Sequence, residues 1–572
     1  MKYRWSIAPS QPLMAGPLAG ELKISPMLAQ CLVNRGVTQP DRAADFLQPR
    51  LNQLSDPFLL PNMAAAVDRL FLARGRDEPL VIFGDYDVDG VTSTALLTEV
   101  LGALGWRVSH YLPHRLEEGY GLSQDGVENC LLKHPVKLVL AVDCGSTAVS
   151  TVDWLRQRGV DVIVLDHHQV SSPPPAASAL VNPQLAVAAG SPFNGLCSVG
   201  LAFKLAHAIV KRGRETGLSG AAEYDVRPLL DLVALGTVAD LVPLSGENRI
   251  LVAIGLQRLN ATQRPGLVAL KTVAQTPALI GIYEVSFQLG PRLNAAGRLE
   301  TAAAALDLLL ARSLAEAEPL ARELDAQNRE RQQIERGIAG EVIGAVRAKF
   351  NPETDYVVVE GKLLWHIGVV GIVASRVLRE FYRPTIILGG EGNEWRGSGR
   401  SIEGFDLAAA LRECDDLLLR HGGHAMAAGL SVRPQNLDAL RERLNNLARR
   451  TLTREQLQPL LRLDAEVRLV DLTLERLKEL RRLEPIGQGN PPVQFVVRDV
   501  TLQRPSQRMG REKQHAKLWI TDGHAVREVV CWNHDEAALP SGIFDLAFAR
   551  QINEYSGVRS AQLKLLDWRS VH

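Results

Sequence analysis

The sequence predicts an α/β protein: a parallel-sheet domain, a second α/β domain joined to it by a long helix, and a small β-barrel at the carboxyl end. Three observations lead there. Between residues 64 and 165, short apolar runs alternate with amphipathic stretches of helical length, the pattern of parallel strands and their crossover helices. Residues 309–349 hold helical periodicity with many Arg and Glu, the pattern of a long exposed helix laced with i,i+4 pairs. After residue 483, about five short strand-like runs follow one another between turn residues, which suits a small barrel.

Length and composition bound the rest. A chain of 572 residues with 46% hydrophobic content holds several folded domains. Lys+Arg and Asp+Glu both total 64, so overall charge advertises no nucleic-acid partner, and any basic surface must be local. The six cysteines are scattered with no CxxC pair, which fits reduced thiols in a cytoplasmic protein better than a disulfide framework or a zinc site. Residues 1–20, broken by Pro9, Pro12 and Pro17, lack the apolar core of a signal peptide. The most apolar long run, 229–244, contains Asp231 and Asp240, so no membrane association is expected.

In chain order, the run 80–83 has the length and β-branched character of a buried strand and ends in Asp85-Tyr86-Asp87-Val88-Asp89-Gly90. Carboxylates at i, i+2 and i+4 point the same way if the chain stays extended, and three like charges together call for cations. The triplet also fits the first half of an EF-hand loop. That reading fails twice, because the twelfth position is Leu96 and a strand precedes the loop where a helix is needed. A helix is expected at 92–104 and strands at 107–111, 137–142 and 161–165. The last two end in Asp143-Cys144-Gly145-Ser146 and Asp166-His167-His168. Ligands of open parallel sheets bind beyond the carboxyl ends of the strands, where these acids and imidazoles fall. Asp240 closes another apolar run, as a helix cap or as a further ligand.

These four segments, with Gly236-Thr237-Val238-Ala239-Asp240 as the fourth, resemble the motifs of the DHH phosphoesterase superfamily, in chain order. Within it the whole chain is similar to the bacterial exonucleases specific for single-stranded DNA. The resemblance implies that Asp87, Asp89, Asp143, His167 and Asp240 are ligands of Mg²⁺ or Mn²⁺, two ions in all, with Asp85 and His168 close by. One departure concerns Asp85. Many members carry a metal-binding His four positions before Asp87, where this chain has Phe83, and Asp85 is the candidate to replace it.

Further on, Gly290-Pro291-Arg292-Leu293-Asn294-Ala295-Ala296-Gly297-Arg298 offers two arginines and an amide among glycines, an open segment suited to a phosphate or an ordinary turn. The family reading places Arg292, Asn294 and Arg298 near the scissile phosphate, with Arg298 and His168 neutralising charge in the transition state. The second domain carries Gly397-Ser398-Gly399-Arg400-Ser401 and, read as a Gly-rich turn, His421-Gly422-Gly423-His424-Ala425-Met426-Ala427-Ala428-Gly429, which resemble DHHA1-type substrate-binding motifs. Backbone N–H groups exposed by glycine, with Ser398, Arg400 and His424, suit phosphate oxygens. Barrel strands are expected at 493–497, 500–503, 516–521, 527–532 and 544–553. Arg504, Arg508, Arg511, Lys513 and Lys517, with the rings of Phe495, Trp519 and Trp532, form either a groove for single strands or a core with a solvated loop. The resemblance implies an OB-fold.

The expected spans are an N-terminal segment (1–63), a DHH catalytic domain (64–305), a connecting helix (306–350), a DHHA1 substrate-binding domain (351–455) and an OB-fold (456–572). The residues alone support a two-metal phosphoesterase site. Single-stranded DNA, the 5′-to-3′ direction and a role in recombination and repair come from the resemblance, as do a single-stranded-DNA-binding protein and a repair helicase as partners. A monomer is expected. The alternatives are a DHH phosphoesterase acting on short oligonucleotides or cyclic dinucleotides, and a metal-stabilised DNA-binding scaffold without activity.

Overall fold

The apolar run before the aspartates forms the strand Leu80–Gly84, buried along its whole length. It is second in a five-stranded parallel sheet ordered Val108–Tyr111, Leu80–Gly84, Leu138–Val142, Asp161–Leu165, Ala179–Val181. The last strand, three residues long, has no signal in the sequence. Register aligns Gly84 with Val142, Val142 with Leu165 and Leu165 with Val181. The next residues, Asp85, Asp143, Asp166 and Asn182, therefore leave neighbouring strands at one edge. Alternate side chains go to opposite faces. Ile82, Leu140 and Leu165 join the larger core under the helices Val88–Ala103, Ser198–Thr216 and Leu230–Ala239, while Phe83, Ala141 and Val164 join the other core. Phe83 is thus a core side chain, stacked on Tyr111 with ring centroids 5.6 Å apart.

The structure, a computed structural model, describes residues 3–114, 117–119, 121–185, 191–299, 301–390, 392–532, 539–555 and 558–571. They gather into two units: residues 45–330 with 483–491, and residues 1–44, 331–482 and 492–572. The N-terminal segment is thus divided between the units. The turn-rich stretch after Leu483 belongs to the first, where Arg249, almost fully buried, donates to the carbonyls of Leu483, Glu484 and Pro485. The long helix is Leu314–Lys349, and the division falls within it. Residues 306–310, expected to begin it, end the separate helix Ala303–Leu310 instead.

In the second unit a five-stranded mixed sheet runs Leu418–His424, Ala427–Val432, Trp395–Arg400, Thr385–Gly389, Val358–Gly361. The glycine-rich segment 421–429, read as a turn, is a β-hairpin. A barrel closes when Phe544–Tyr555 pairs both with Val558–Ser570 and with Gln494–Met509, through His515–Thr521 and Val526–Cys531. The two strands expected at 493–497 and 500–503 are one bent strand. Its register shifts between Val497 and Val500, where Asp499 takes a left-handed φ of 51°, the mark of a bulge. The N-terminal strand Arg4–Ile7 pairs with Leu460–Leu463.

Candidate metal centre

The chain does not stay extended through the aspartates. It turns helical at Val88, four residues before the expected start, because Asp87 caps that helix by accepting from the N–H groups of Asp89 and Gly90. Asp85 ends the strand, Asp87 is the cap and Asp89 lies in the first turn. The turn is tight: a Cβ on Gly90 would stand 2.4 Å from the Asp85 carbonyl oxygen.

Asp143 follows its strand at a φ of +64°, a conformation that Asp and Asn tolerate better than other side chains. Its Oδ1 accepts from the Ser198 hydroxyl at 2.8 Å. Ser198 begins the 19-residue helix Ser198–Thr216, whose first N–H groups, from Ser198 and Val199, donate to the two oxygens of Asp89 at 2.7 and 2.8 Å. Asp240 sits at the other kind of helix end, the C-terminus of Leu230–Ala239, where the dipole disfavours a carboxylate.

His167 joins these acids. Its Nε2 lies 3.4 Å from Asp143, 3.6 Å from Asp240 and 3.8 Å from Asp89. His168 pairs with Asp166, with Nδ1 2.8 Å from Oδ1, and stays beside the acids, 3.9 Å from Asp143 Oδ1. Asp166 also accepts from the N–H groups of Ser146, His167 and His168, so it orients the pair.

Electrostatics follow from burial. Asp89 is pushed up to about 7 by burial and by Asp87, and Asp240 to about 8 by burial, Asp89 and Asp87. Asp143 rises well above the carboxylate range for the same reasons. Burial, with His168 beside it, holds His167 down near 4, a neutral imidazole with a lone pair to give. Burial also opposes charge on His168, but the hydrogen bond and charge of Asp166 prevail and raise it to about 9.

The residues fit divalent cations. His167 Nε2 and Asp240 Oδ2 are buried and have no hydrogen-bond partner among the described residues. Two donors each about 2.1 Å from one ion lie at most about 4.2 Å apart, and the His167 distances meet that bound. Asp85, Asp87 and Asp143 form a second group with donor atoms within 4.8 Å of one another.

The segment with Arg292, Asn294 and Arg298, expected to be an open loop or turn, is the helix Gly290–Leu299. Asn294 accepts from the Val88 N–H, and a Cβ on Gly297 would meet the Tyr86 carbonyl at 2.8 Å, so this helix braces the aspartate loop. Arg292 pairs with Asp325 at 3.0 Å. In the other unit, register places Ser398 opposite Gly429 and Gly429 opposite Gly422, then Arg400 opposite Ala427 and Ala427 opposite His424. Ser398, Arg400, Gly422 and His424 therefore share a sheet face, and Gly423 lies on the other. Arg400 donates to Ser398 and is half-buried. In the barrel Phe495 is core, the Arg504 guanidinium stacks 3.4 Å above Trp519, and Trp532 is 43% exposed.

Comparison with known proteins gives this geometry a relationship. Residues 79–237 match the DHH family N-terminal domain, 353–450 the DHHA1 domain and 463–567 the RecJ OB domain. The single-stranded-DNA-specific exonuclease RecJ of Dickeya dadantii is 38% identical over 566 residues, covering 94% of this chain and 95% of that protein. The chain belongs to the RecJ family. Its fold matches that of RecJ from Thermus thermophilus in complex with Mn²⁺, with a TM-score of 0.85 and 30% identity over 100% of this chain and 80% of that one. The same RecJ in complex with Mg²⁺ matches with a TM-score of 0.79 and 29% identity, over 100% and 79%. Ser198 and the helix it begins are the part of this RecJ-family site that sequence reasoning missed. A Ser beside an apolar helical stretch was the only local signal, and nothing local tied it to Asp89, 109 residues away.

Proposed function

We propose that the protein is a metal-dependent exonuclease that hydrolyses single-stranded DNA from the 5′ end in recombination and repair. The observation that carries this reading is the pair of orphaned buried atoms, His167 Nε2 and Asp240 Oδ2, set among Asp89 and Asp143 in a chain of the RecJ family.

In this reading Asp85, Asp87 and Asp143 would hold one ion, Mg²⁺ or Mn²⁺, and Asp89, Asp143, His167 and Asp240 would hold another. Bound there, such ions would supply Lewis acidity toward water and the leaving group. The protein's own groups do the rest. Ser198 and the first N–H groups of its helix fix Asp143 and Asp89 before any ligand arrives. His168, kept protonated by Asp166, and Arg298 offset charge on the phosphoryl oxygens. Asn294 holds the aspartate loop and Arg292, through Asp325, holds the helix that carries Asn294.

Ser398, Arg400, His424 and the glycine N–H groups of 422 and 423 bind backbone phosphates of the strand, and the barrel's Trp519 and Trp532 take its bases. A barrel of this kind serves a long strand rather than a dinucleotide. A cytoplasmic monomer recruited by a single-stranded-DNA-binding protein and working after a helicase completes the reading; no helix among the described residues is long and apolar enough to cross a membrane.

Digestion of a long single strand labelled at either end tests it. Early release of the 5′ label as mononucleotide, with duplex spared, is the expected result. Hydrolysis confined to fragments of a few nucleotides would overturn it.

A further inference from the structure

Two rings stand out on the metal-bearing unit. Tyr283 and Phe287 are 63% and 60% exposed, and their centroids lie 5.0 Å apart at an interplanar angle of 36°. Large rings held side by side in water are costly unless something covers them. Their backbone explains why they face outward. Val285–Leu289 is a π-helical turn, whose Val285 and Leu289 are fully buried and so turn Phe287 to the surface. Such turns are frequent at functional sites.

Their location identifies what covers them. The turn packs on the helix Leu230–Ala239 and continues directly into Gly290–Leu299, the helix that braces the aspartate loop. A Cβ on Gly290 would lie 3.7 Å from Ala239 Cβ, and Ala239 precedes Asp240. Phe287 is three residues before Gly290, about one helical turn from that contact. Leu241, which follows Asp240 in the chain, is 69% exposed at a φ of 59°. A phosphodiester entering the metal centre brings bases with it, and those bases carry flat apolar faces that match the rings. Arg298, eleven residues after Phe287 on the continuing helix, suits the phosphates of the same strand.

We propose that Tyr283 and Phe287 form a stacking platform for bases of the single strand next to the scissile phosphate. The platform holds the strand without reading its sequence, because every base has a stacking face. This inference rests on the single-stranded-DNA exonuclease reading.

The test is a steady-state comparison of wild type, Tyr283→Ala, Phe287→Ala and the double variant on one single strand with normal nucleotides and one with consecutive abasic sites at its 5′ end. Each alanine should raise KM on the order of tenfold on the normal strand with kcat within about twofold. Phe287→Trp and Tyr283→Phe should keep the wild-type KM. On the abasic strand wild type should lose the same factor and the variants lose nothing more. A 2-aminopurine near the 5′ end should be quenched on binding wild-type protein in EDTA, a readout that needs no variant. An unchanged KM for the double variant, a defect of equal size on the abasic strand, or a 2-aminopurine that brightens would overturn the platform. Failure of wild type to hydrolyse either strand would instead overturn the exonuclease reading.

Discussion

The Ser198 hydroxyl donates to Asp143 Oδ1 at 2.8 Å while the Ser198 N–H donates to Asp89 Oδ2 at 2.7 Å, so one residue orients two carboxylates, one just past a strand and one in the first turn of a helix. Groups that orient metal ligands are typically worth 10–100-fold in affinity. Ser198→Ala keeps the backbone bond and loses the hydroxyl. It should weaken Mn²⁺ binding by about tenfold, measured by isothermal titration, and leave the affinity for single strands in EDTA unchanged.

Metal-free protein should lose stability as pH rises. Asp89 and Asp240 are raised to about 7 and about 8, against about 3.9 for an unfolded Asp. The folded state then holds protons that the unfolded state releases, so the stability these two groups contribute is fully present below about pH 4 and is lost as pH rises through the folded values. Cations displace those protons. The Tm increase produced by Mn²⁺ should therefore grow between pH 5 and pH 8, and binding at pH 7 should release protons, seen as a buffer-dependent enthalpy. A Tm increase that does not vary with pH would refute the assignment.

Asp166 keeps His168 charged, with Nδ1 2.8 Å from its Oδ1. Asp166→Asn keeps the shape and removes the charge, so His168 should titrate lower and be neutral at pH 8. The expected result is a kcat loss of about tenfold or more at pH 8 that shrinks toward pH 6, with Mn²⁺ affinity nearly intact. A loss equal at both values would assign Asp166 a structural role alone.

On the hairpin face, a Cβ at Gly422 meets nothing within 4 Å, so Gly422→Val should fold normally. If the strand's backbone lies over Ser398, Gly422 and His424, the valine should raise KM at least tenfold with kcat on a saturating strand little changed. Thermal melting and steady-state kinetics on the same preparation check both halves.

The sheet was legible because buried strands in a parallel array are short, apolar and β-branched, and their carboxyl ends expose whatever acid or imidazole follows. Asp143 and His167 were visible for that reason. The spacing of Asp85, Asp87 and Asp89 misled, since equal steps of two suggest an extended chain, although Asp87 before Val88 is an ordinary N-cap signal. Asp240 left two readings open. The structure makes it a C-cap, where a carboxylate gains nothing from the helix. Glycines at 422, 423 and 429 were read as a turn because glycine has little strand propensity. Cross-strand pairing, which no local pattern encodes, turned them into a hairpin. Ser198 beside Asp89 and the N-terminal strand beside Leu460–Leu463 were hidden for the same reason, as contacts across long stretches of chain.

The proposed hydrolytic centre depends on a carboxylate shared by two ions. Asn is the apt replacement for Asp143, because it tolerates the φ of +64° and keeps the shape while losing the charge. The direct measurement is hydrolysis of a 5′-labelled single strand by Asp143→Asn with Mn²⁺, beside its affinity for the same strand in EDTA. The expected result is a loss of hydrolysis of about a thousandfold or more with affinity within about twofold. Hydrolysis at the wild-type rate would contradict it.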